Sequence, residues 1–591
     1  MRLPITDEDS DTEYYVEQSA FESDDKLIIA LDFGTTFSGI GYAFANEDKP
    51  DIYSIEDWPG LEQRKQPKVP TVICYDPESE TGFTWGAQSH RCEKICGMKL
   101  LLDPTQAMPV YVPTSSTSKE LGRLGKPALD VAADFIGAIY EHAMTIIGNK
   151  VPRGYLEICQ KQFVVSVPAV WSDKAKDLTL KAAKRANIHP VTLITEPEAA
   201  AIYTLHTLKD KALSVGDAFV ICDAGGGTVD LISYEITSLV PKLELKELVP
   251  GKGGMAGSLG LNKRFEEAVR VLVGEDQFHT LRNTRGFSSA VEQFDSSVKM
   301  AFRGKEDERY FVNFPMAKLQ DDEDNNLTSS CWDMGCEDVQ KIFDPLIMDI
   351  ERLVDEQVNL VKVKRMSEDH PKAKEIKAIF LVGGFGSSAY LKSRIGDCHP
   401  TIQIIQPHDA WAAIVKGAVL SGLPRKTRNV SIISTQSTRH YGVSANSIYD
   451  AKRDIGRPTK VDCYGDVRTQ AMTWYIHLGE DLKRDQKLRF PFFRTLEGSI
   501  TDIALIFRDE LLQCESTVAP IHPGQAVKPN CVLRSDLRNV DRSNFKQRTS
   551  RSGMPCWDVH YYLVVTISSA VMKFSLEIEG KEIGSVEANY D

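Results

Sequence analysis

The pattern of apolar and polar residues repeats one local design at two places far apart in the chain. Residues 219–232 read FVICDAGGGTVDLI, an apolar run that ends at an Asp, then three glycines and a Thr, then a second apolar run. Residues 27–40 read LIIALDFGTTFSGI and follow the same order. A glycine-rich turn between two apolar runs predicts a β-hairpin. Two such hairpins indicate a duplicated α/β unit with two lobes.

A third segment has a related pattern. Residues 379–388 read IFLVGGFGSS, so an apolar strand runs into paired glycines. Glycines remove side chains from a turn and let backbone N–H groups approach an anion, most often phosphate. The predicted phosphate contacts are Gly34, Thr35 and Thr36 in the first hairpin and Gly225, Gly226, Gly227 and Thr228 in the second. Gly383, Gly384 and Phe385 in the third segment would approach a nucleoside.

Carboxylates accompany both hairpin turns. Asp32 and Asp223 end the first strand of each hairpin, and Asp230 stands in the returning strand of the second. Carboxylates that face a phosphate favour a hard divalent cation, most simply Mg²⁺, held mostly through water. For either hairpin alone, an ordinary glycine-rich turn with incidental acids remains the alternative.

The remaining pattern predicts helices over 128–147, 173–186, 339–363 and 410–420, and a loop over 101–120. After residue 430 the pattern changes to short apolar runs separated by turns rich in Gly, Pro and Asn. Strands are predicted at 472–476, 503–507, 561–567 and 574–578, which together favour an antiparallel β-sandwich.

Charge and composition argue against several protein classes. The 591 residues carry a formal net charge of −13, which argues against nucleic acid or an anionic membrane as partner. Residues 1–25 are dense in Asp, Glu and Ser and predict a disordered acidic tail. No apolar stretch is long enough to span a bilayer and no signal-peptide core is present, so we expect a cytoplasmic protein. The 12 cysteines lack zinc-finger spacing.

The order DFGTT, VPA, EPEAAA, DAGGGTVD and LVGGFG resembles the ATPase domain of the heat shock protein 70 chaperones over residues 26–420. The resemblance implies an α/β fold, a two-lobed actin-like (ribonuclease H-like) ATPase domain at 26–422 that binds ATP/ADP and Mg²⁺. A linker at 423–430 and a β-sandwich-like domain at 431–591, similar to a truncated substrate-binding domain, would follow. We therefore expect a divergent member of the family that lacks the helical lid.

The resemblance also assigns residues to roles. Lys99 and Glu196 would position the attacking water, and with Asp223 and Thr228 they form the predicted catalytic set. Lys94 competes with Lys99 for this role, and a surface lysine on an amphipathic helix is the alternative. Further nucleotide contacts are expected from Gly254 and from the pair Asp295 and Lys299, which could equally be an ordinary surface ion pair.

Three departures from the family pattern affect the functional prediction. Glu198 stands where a Thr is usual, Ser387 and Ser388 replace a motif with an adenine-stacking Arg, and residues 423–428 lack the hydrophobic, acid-ended linker. We expect a weak Mg²⁺-dependent ATPase that acts as a chaperone in protein folding and the stress response. Its partners would be protein clients or one partner protein, with co-chaperones as candidates. The alternatives are a nucleotide-sensing binding protein with negligible turnover and a small-molecule kinase of the same superfold.

Overall fold

The computed structural model describes residues 25–46, 50–103, 114–208 and 213–590. The predicted acidic tail therefore lies outside the described residues, apart from Asp25. No helix in these ranges combines the length and the apolar character that a bilayer crossing requires.

The first α/β unit, residues 25–208, is built around a mixed sheet. The strands of this unit are β1 (Lys26–Asp32), β2 (Phe37–Phe44), β3 (Tyr53–Ser54), β4 (Val69–Pro70), β5 (Val72–Tyr75), β6 (Phe83–Trp85), β7 (Ile95–Cys96), β8 (Gln160–Val167) and β9 (Val191–Thr195). Strands β5, β6 and β7 form a separate small sheet. The helices of this unit are the 3-10 helix Met98–Leu102, α1 (Thr114–Leu124), α2 (Ala128–Gly148), α3 (Tyr155–Ile158), α4 (Asp173–Arg185) and α5 (Glu196–Thr207). The sheet order is β3-β2-β1-β8-β9, with β4 paired to β2. The predicted hairpin forms, because β1 and β2 pair antiparallel, and β8 adds to β1 in parallel.

The second unit, residues 213–422, repeats this plan. Its strands are β10 (Ala218–Ala224), β11 (Val229–Ser238), β12 (Leu243–Glu247), β13 (Lys252–Gly254), β14 (Arg309–Asn313), β15 (Leu327–Thr328), β16 (Cys331–Gly335), β17 (Ala378–Val382) and β18 (Gln403–Ile405). Its helices are α6 (Leu259–Leu281), α7 (Arg285–Gln293), a π-helical turn (Phe294–Val298), α8 (Lys299–Ala301), α9 (Cys336–Ser367), α10 (Gly383–Gly386), α11 (Ala389–Cys398) and α12 (Ala413–Gly422). Here β10 and β11 form the second predicted hairpin, and β17 adds to β10 in parallel.

An apolar cluster joins the two units. It contains residues from β1 and β10 together with helices α5 and α12, which pack closely against each other. Gly417 on α12 permits this approach, because a Cβ at this position would lie 1.7 Å from the carbonyl oxygen of Ala199 on α5. The two sheets therefore hold their hairpin turns in fixed positions relative to each other.

The chain after residue 422 is rich in strands. These are β19 (Val430–Gln436), β20 (His440–Ile448), β21 (Lys460–Val461), β22 (Val467–Ile476), β23 (Asp481–Lys483), β24 (Lys487–Glu497), β25 (Ile506–Cys514), β26 (Lys528–Asp536), β27 (Lys546–Thr549), β28 (Pro555–Ile567), β29 (Met572–Ile578) and β30 (Lys581–Asn589). Ten of them form one antiparallel path, β21-β22-β20-β25-β26-β30-β29-β28-β24 with β27 on β28, around its own apolar core. Two 3-10 helices, Ile503–Leu505 and Arg542–Asn544, interrupt this part.

Two strands of this C-terminal part belong to a different sheet. β19 pairs in parallel with β12 of the second unit, and β23 pairs antiparallel with β19. The segment predicted as a linker leads directly into β19, with Leu423 buried and Arg425 ion-paired to Asp485. The C-terminal part is thus joined to the second unit by a continuous sheet.

Two local predictions are wrong. Residues 114–120 belong to helix α1, although their Ser and Thr content predicted a loop. The buried Thr117 hydroxyl donates a hydrogen bond to the Cys96 carbonyl oxygen at 2.7 Å, so a tertiary contact outweighs local propensity. Residues 503–505 form a 3-10 helix, and the strand predicted there begins only at Ile506.

Candidate functional site

The three predicted glycine turns meet at one cavity of about 400 Å³ between the two α/β units. Most of the residues selected from the sequence line it. They are Asp32, Gly34, Thr35, Thr36, Lys99, Glu196, Asp223, Gly225, Gly226, Gly227, Thr228, Asp295, Lys299, Gly383, Gly384 and Phe385. Asp230 and Gly254 are not among the lining residues.

The turns of the two hairpins face each other across a very short distance. A Cβ on Gly226 would lie 2.1 Å from Thr36 Oγ1, and a Cβ on Gly227 would lie 2.9 Å from Thr35 Oγ1. Only glycine therefore fits opposite the two threonines. Backbone N–H groups and threonine hydroxyls are brought to one end of the cavity, and both are suitable donors to an anion.

The segment before α6 supports the second turn from behind. The N–H groups of Gly257, Ser258 and Leu259 donate to the carbonyl oxygens of Gly227, Gly225 and Gly226 at 3.2, 3.1 and 2.9 Å. Ser258 lines the cavity, whereas Gly254, in β13, pairs with Val229 of β11. The structure thus places Ser258, and not the predicted Gly254, at the cavity wall.

The predicted metal-site carboxylates are all buried near this end. Burial and the charges of Glu196 and Asp230 raise the pKa of Asp223 well above its ordinary value. Burial likewise raises the pKa of Asp230, although hydrogen bonds from the Thr228 hydroxyl and the Val170 N–H oppose the shift. Asp223 and Asp230 are paired in the register of the second hairpin.

These carboxylates fit a cation held through water. Asp223 Oδ1 is buried and accepts no hydrogen bond from the described part of the chain, so it is free to accept one from a metal-bound water. Within the same ranges, no three His, Cys, Asp or Glu side chains lie close enough to ligate an ion directly. Oxygen ligands suit Mg²⁺, which usually keeps several of its waters.

Lys99 and Glu196 form a buried ion pair in the cavity wall. Lys99 lies on the 3-10 helix Met98–Leu102, and its ammonium also lies 5.3 Å from the centre of the Trp171 ring. Burial raises the pKa of Glu196 to about 7, although the Lys99 charge opposes this shift. Lys94, the competing residue, is exposed. The structure therefore places Lys99, and not Lys94, at the cavity.

Lys68 is a cavity residue that the sequence reasoning missed. Its ammonium lies 2.6 Å from Asp32 Oδ2, and Ser166 Oγ donates to Asp32 Oδ1 at 2.8 Å. Burial raises the pKa of Asp32, but the charges of Lys68 and Lys99 outweigh burial and hold it below the ordinary value. A lone lysine before a short edge strand carries no sequence signal for this position.

Another part of the cavity wall combines charged, polar and aromatic side chains. Asp295 and Lys299 form an ion pair of 2.5 Å, and burial lowers the pKa of Lys299 although Asp295 opposes the shift. Ser387 and Ser388 line the wall where the resemblance predicted the loss of an arginine. Trp411, also missed, lines this cavity and packs edge-on against Phe37 at 5.4 Å between ring centres. An aromatic ring in this part of the wall suits a planar base.

Comparisons with known proteins agree with the residue pattern. A family profile described as a domain of unknown function (DUF8340) matches residues 214–370. Heat shock 70 kDa protein 12B from Homo sapiens is 25% identical over 485 residues, which are 67% of this chain and 68% of the relative. Heat shock 70 kDa protein 12A from Homo sapiens is 26% identical over 523 residues, 71% of each chain. Chaperone protein DnaK from Carsonella ruddii is 23% identical over 421 residues, 67% of this chain and 64% of the relative.

The relationship to the heat shock protein 70 proteins implies an actin-like ATPase fold for this chain. The chain belongs to the heat shock protein 70 family as a divergent member, related to the 12A and 12B proteins.

Proposed function

We propose that this protein binds ATP with Mg²⁺ in the central cavity, hydrolyses it slowly, and couples nucleotide state to the binding of a protein client by its C-terminal β-rich part. The observation that carries the proposal is the meeting of both glycine turns and the Lys99–Glu196 pair at one cavity of about 400 Å³. A pocket of this volume is in the range expected for a small-molecule or cofactor site.

Each group in the cavity has a role in this proposal. The turns at Gly34–Thr36 and Gly225–Thr228 bind the phosphates through backbone N–H groups and hydroxyls. Lys99 and Glu196 position the attacking water. Mg²⁺, when bound, neutralises phosphate charge, and Asp223 and Asp230 would hold its waters. Phosphoryl transfer depends mainly on positioning and on charge stabilisation, which this set of groups can supply.

The junction with the C-terminal part supports the coupling step. Helix α5 begins at Glu196 in the cavity, and two residues later Glu198 accepts hydrogen bonds from Arg484 and Ser569 of the C-terminal part, both at 2.7 Å. A movement at the start of α5 would therefore act on both the nucleotide and the β-rich part. Differential contacts of this kind are what a ligand needs to shift a conformational equilibrium.

A nucleotide-sensing protein without turnover is the second candidate. Lys68 and Lys99 are each already paired with a carboxylate, Asp32 and Glu196. A cleft whose lysines are held in this way could bind a polyphosphate tightly and still fail to stabilise the transition state, because only interactions that strengthen in the transition state accelerate the reaction.

The test is ATP affinity together with single-turnover hydrolysis in Mg²⁺ for the wild type and Asp223→Asn. The control is Asp276→Asn, because Asp276 is exposed on α6 and does not line the cavity. If wild type and Asp276→Asn hydrolyse ATP and Asp223→Asn does not, the result supports the ATPase function. Tight binding without hydrolysis favours the sensor, and absence of nucleotide binding contradicts both functions.

A further inference from the structure

We propose that Lys68 is a second phosphate-binding lysine of this cleft, and that it provides a fixed cation beside Asp32 through which ATP binds without a divalent metal ion. The inference rests on the proposed nucleotide function. It identifies a contact that the glycine turns, Lys99 and the predicted metal-site carboxylates do not include.

Lys68 is buried where a bound phosphate would lie. Only 7% of its side chain is exposed, and its ammonium lies 2.6 Å from Asp32 Oδ2, whose side chain is 2% exposed. Both residues line the cavity beside the Gly34–Thr36 turn. An ammonium has three donor hydrogens, so the ion pair with Asp32 leaves donors for a phosphate oxygen.

The backbone holds Lys68 in this position. The next two residues, Val69 and Pro70, pair with Ser38 and Phe37 of β2, directly after the first turn. The Gln66 side-chain amide donates to the Lys68 carbonyl oxygen at 2.7 Å. Gly39 leaves room for the lysine, because a Cβ at this position would lie 3.1 Å from Lys68 Cγ. The lysine is therefore part of a fixed wall and not a mobile surface side chain.

The charges around this end explain why a second lysine matters. Asp32, Glu196, Asp223 and Asp230 are all buried here, and each of these carboxyl groups that is ionised repels a polyphosphate. Lys99 is paired with Glu196 and Lys68 with Asp32. Neutralising Asp32 within the protein removes one repulsive charge, and the interaction is strong because little water screens it.

The arrangement also separates two cation positions. Asp32 already has a cation in contact, whereas Asp223 and Asp230, on the second hairpin, have no lysine within ion-pair distance in the described ranges. A hydrated divalent ion would therefore be held by the second hairpin. Lys68 would keep the first hairpin competent for phosphate when that ion is absent.

The experiment measures the affinity for a fluorescent ATP analogue in Mg²⁺ and in EDTA. Wild type is expected to lose no more than about tenfold in affinity when Mg²⁺ is removed. Lys68→Met should lose at least a further tenfold or so in EDTA and much less in Mg²⁺. Lys68→Arg, which keeps the positive charge, should largely restore binding in EDTA. Lys65→Met, at an exposed lysine three residues away, should match wild type in both buffers.

A second comparison covers the case in which Lys68→Met is too unstable because Asp32 is left buried and unpaired. Asp32→Asn alone is compared with Asp32→Asn combined with Lys68→Met, since neither leaves an unpaired carboxylate at residue 32. The double variant is expected to show the lower affinity in EDTA. Equal affinities would overturn the inference.

The outcomes separate this inference from the proposed function. The role of Lys68 is contradicted if wild type binds ATP only in Mg²⁺, or if Lys68→Met binds ATP in EDTA as tightly as wild type does. Either result leaves the proposed nucleotide function standing. Wild type that binds ATP in neither buffer contradicts the proposed function itself.

Discussion

Lys99 and Glu196 come from distant parts of the first α/β unit and meet as a buried ion pair at the cavity wall. Glu196 is also the first residue of α5, where the partial positive charge of the helix N-terminus favours a carboxylate. Burial alone would favour the neutral acid, which is why the pKa of Glu196 is raised to about 7 even beside a lysine. At the scale of single residues, the site depends on this balance between burial and pairing.

Replacing Lys99 by Met is expected to lower the single-turnover rate of ATP hydrolysis by about a hundredfold or more, with a much smaller change in ATP affinity. The reason is that a charge used mainly in the transition state affects rate more than binding. Lys94→Met is the matched control, because Lys94 is nearby in sequence and exposed. An unchanged rate in Lys99→Met would exclude Lys99 from the chemistry.

At the scale of elements, the cavity depends on how closely the two hairpin turns and the turn before α6 pack together. The turn before α6 lies directly behind the second hairpin turn, and a Cβ on Gly257 would lie 2.4 Å from the carbonyl carbon and oxygen of Gly226. Backbone atoms cannot rotate away as a side chain can. Any residue larger than glycine at position 257 must therefore displace the turn that faces the phosphates.

Gly257→Ala is accordingly expected to lower ATP affinity by about tenfold or more and to reduce the free energy of unfolding by about 1–3 kcal/mol. Nucleotide titration and urea unfolding measure the two effects. Gly122→Ala on α1 is the control, because a Cβ there meets nothing within 4 Å and alanine favours a helix by about 1 kcal/mol over glycine. Wild-type affinity in Gly257→Ala would contradict the described packing.

At the scale of the whole molecule, the two α/β units and the C-terminal part share buried polar contacts as well as a sheet. Arg484, directly after β23, donates to Glu198 at 2.7 Å, and the side chain of Glu198 is buried while that of Arg484 is 16% exposed. Glu247 accepts a hydrogen bond from the backbone N–H of Gln436 in β19 at 3.1 Å. These contacts fix the C-terminal part to the second sheet, which β19 extends, and to α5.

Arg484→Met is expected to destabilise the protein by about 3–5 kcal/mol, because it leaves Glu198 buried without its charge partner. Denaturant unfolding of the full chain provides the measurement. The control is Arg489→Met, since the Arg489–Glu577 pair has a half-exposed arginine and should contribute less than about 1 kcal/mol. Equal effects of the two variants would show that the junction does not depend on this ion pair.

The raised pKa of Glu247 predicts that the stability of the protein at this junction depends on pH. Burial raises its pKa to about 8, although the Gln436 N–H and Arg484 lower it, while Glu198 raises it further. Because the folded protein holds a proton that the unfolded chain releases at lower pH, this group stabilises the fold at acidic pH. That stability is lost as the pH rises from about 4.5 to about 8, by about 1.4 kcal/mol per pH unit.

The measurement is the free energy of unfolding of wild type and Glu247→Gln from pH 5 to 8.5. The free energy of unfolding of wild type, relative to that of Glu247→Gln, should fall as the pH rises and become constant above about pH 8. Glu244→Gln, on the same strand with its side chain only partly buried, is the control and should track wild type. A constant difference for Glu247→Gln would contradict the raised pKa.

The sequence by itself determined the hairpins, their glycine turns and the carboxylates at their ends, because these features depend on local alternation and on the special backbone of glycine. It also predicted helices α2 and α4 and the β-rich character after residue 430, from apolar spacing, composition and turn residues. The sequence identified Lys99 only as one of two candidates, with Lys94 as the other, because a local pattern does not show which lysine side chain is buried.

Only the tertiary structure decided which lysines reach the cavity and how the C-terminal part joins the second sheet. Lys68 and Trp411 have no distinctive neighbours in the sequence, and they became site residues because β4 and the approach to α12 bring them beside the turns. Helix α1 and the pairing of β19 with β12 depend on partners remote in the chain. Such contacts follow from the packing of whole elements, which no local pattern of side chains specifies.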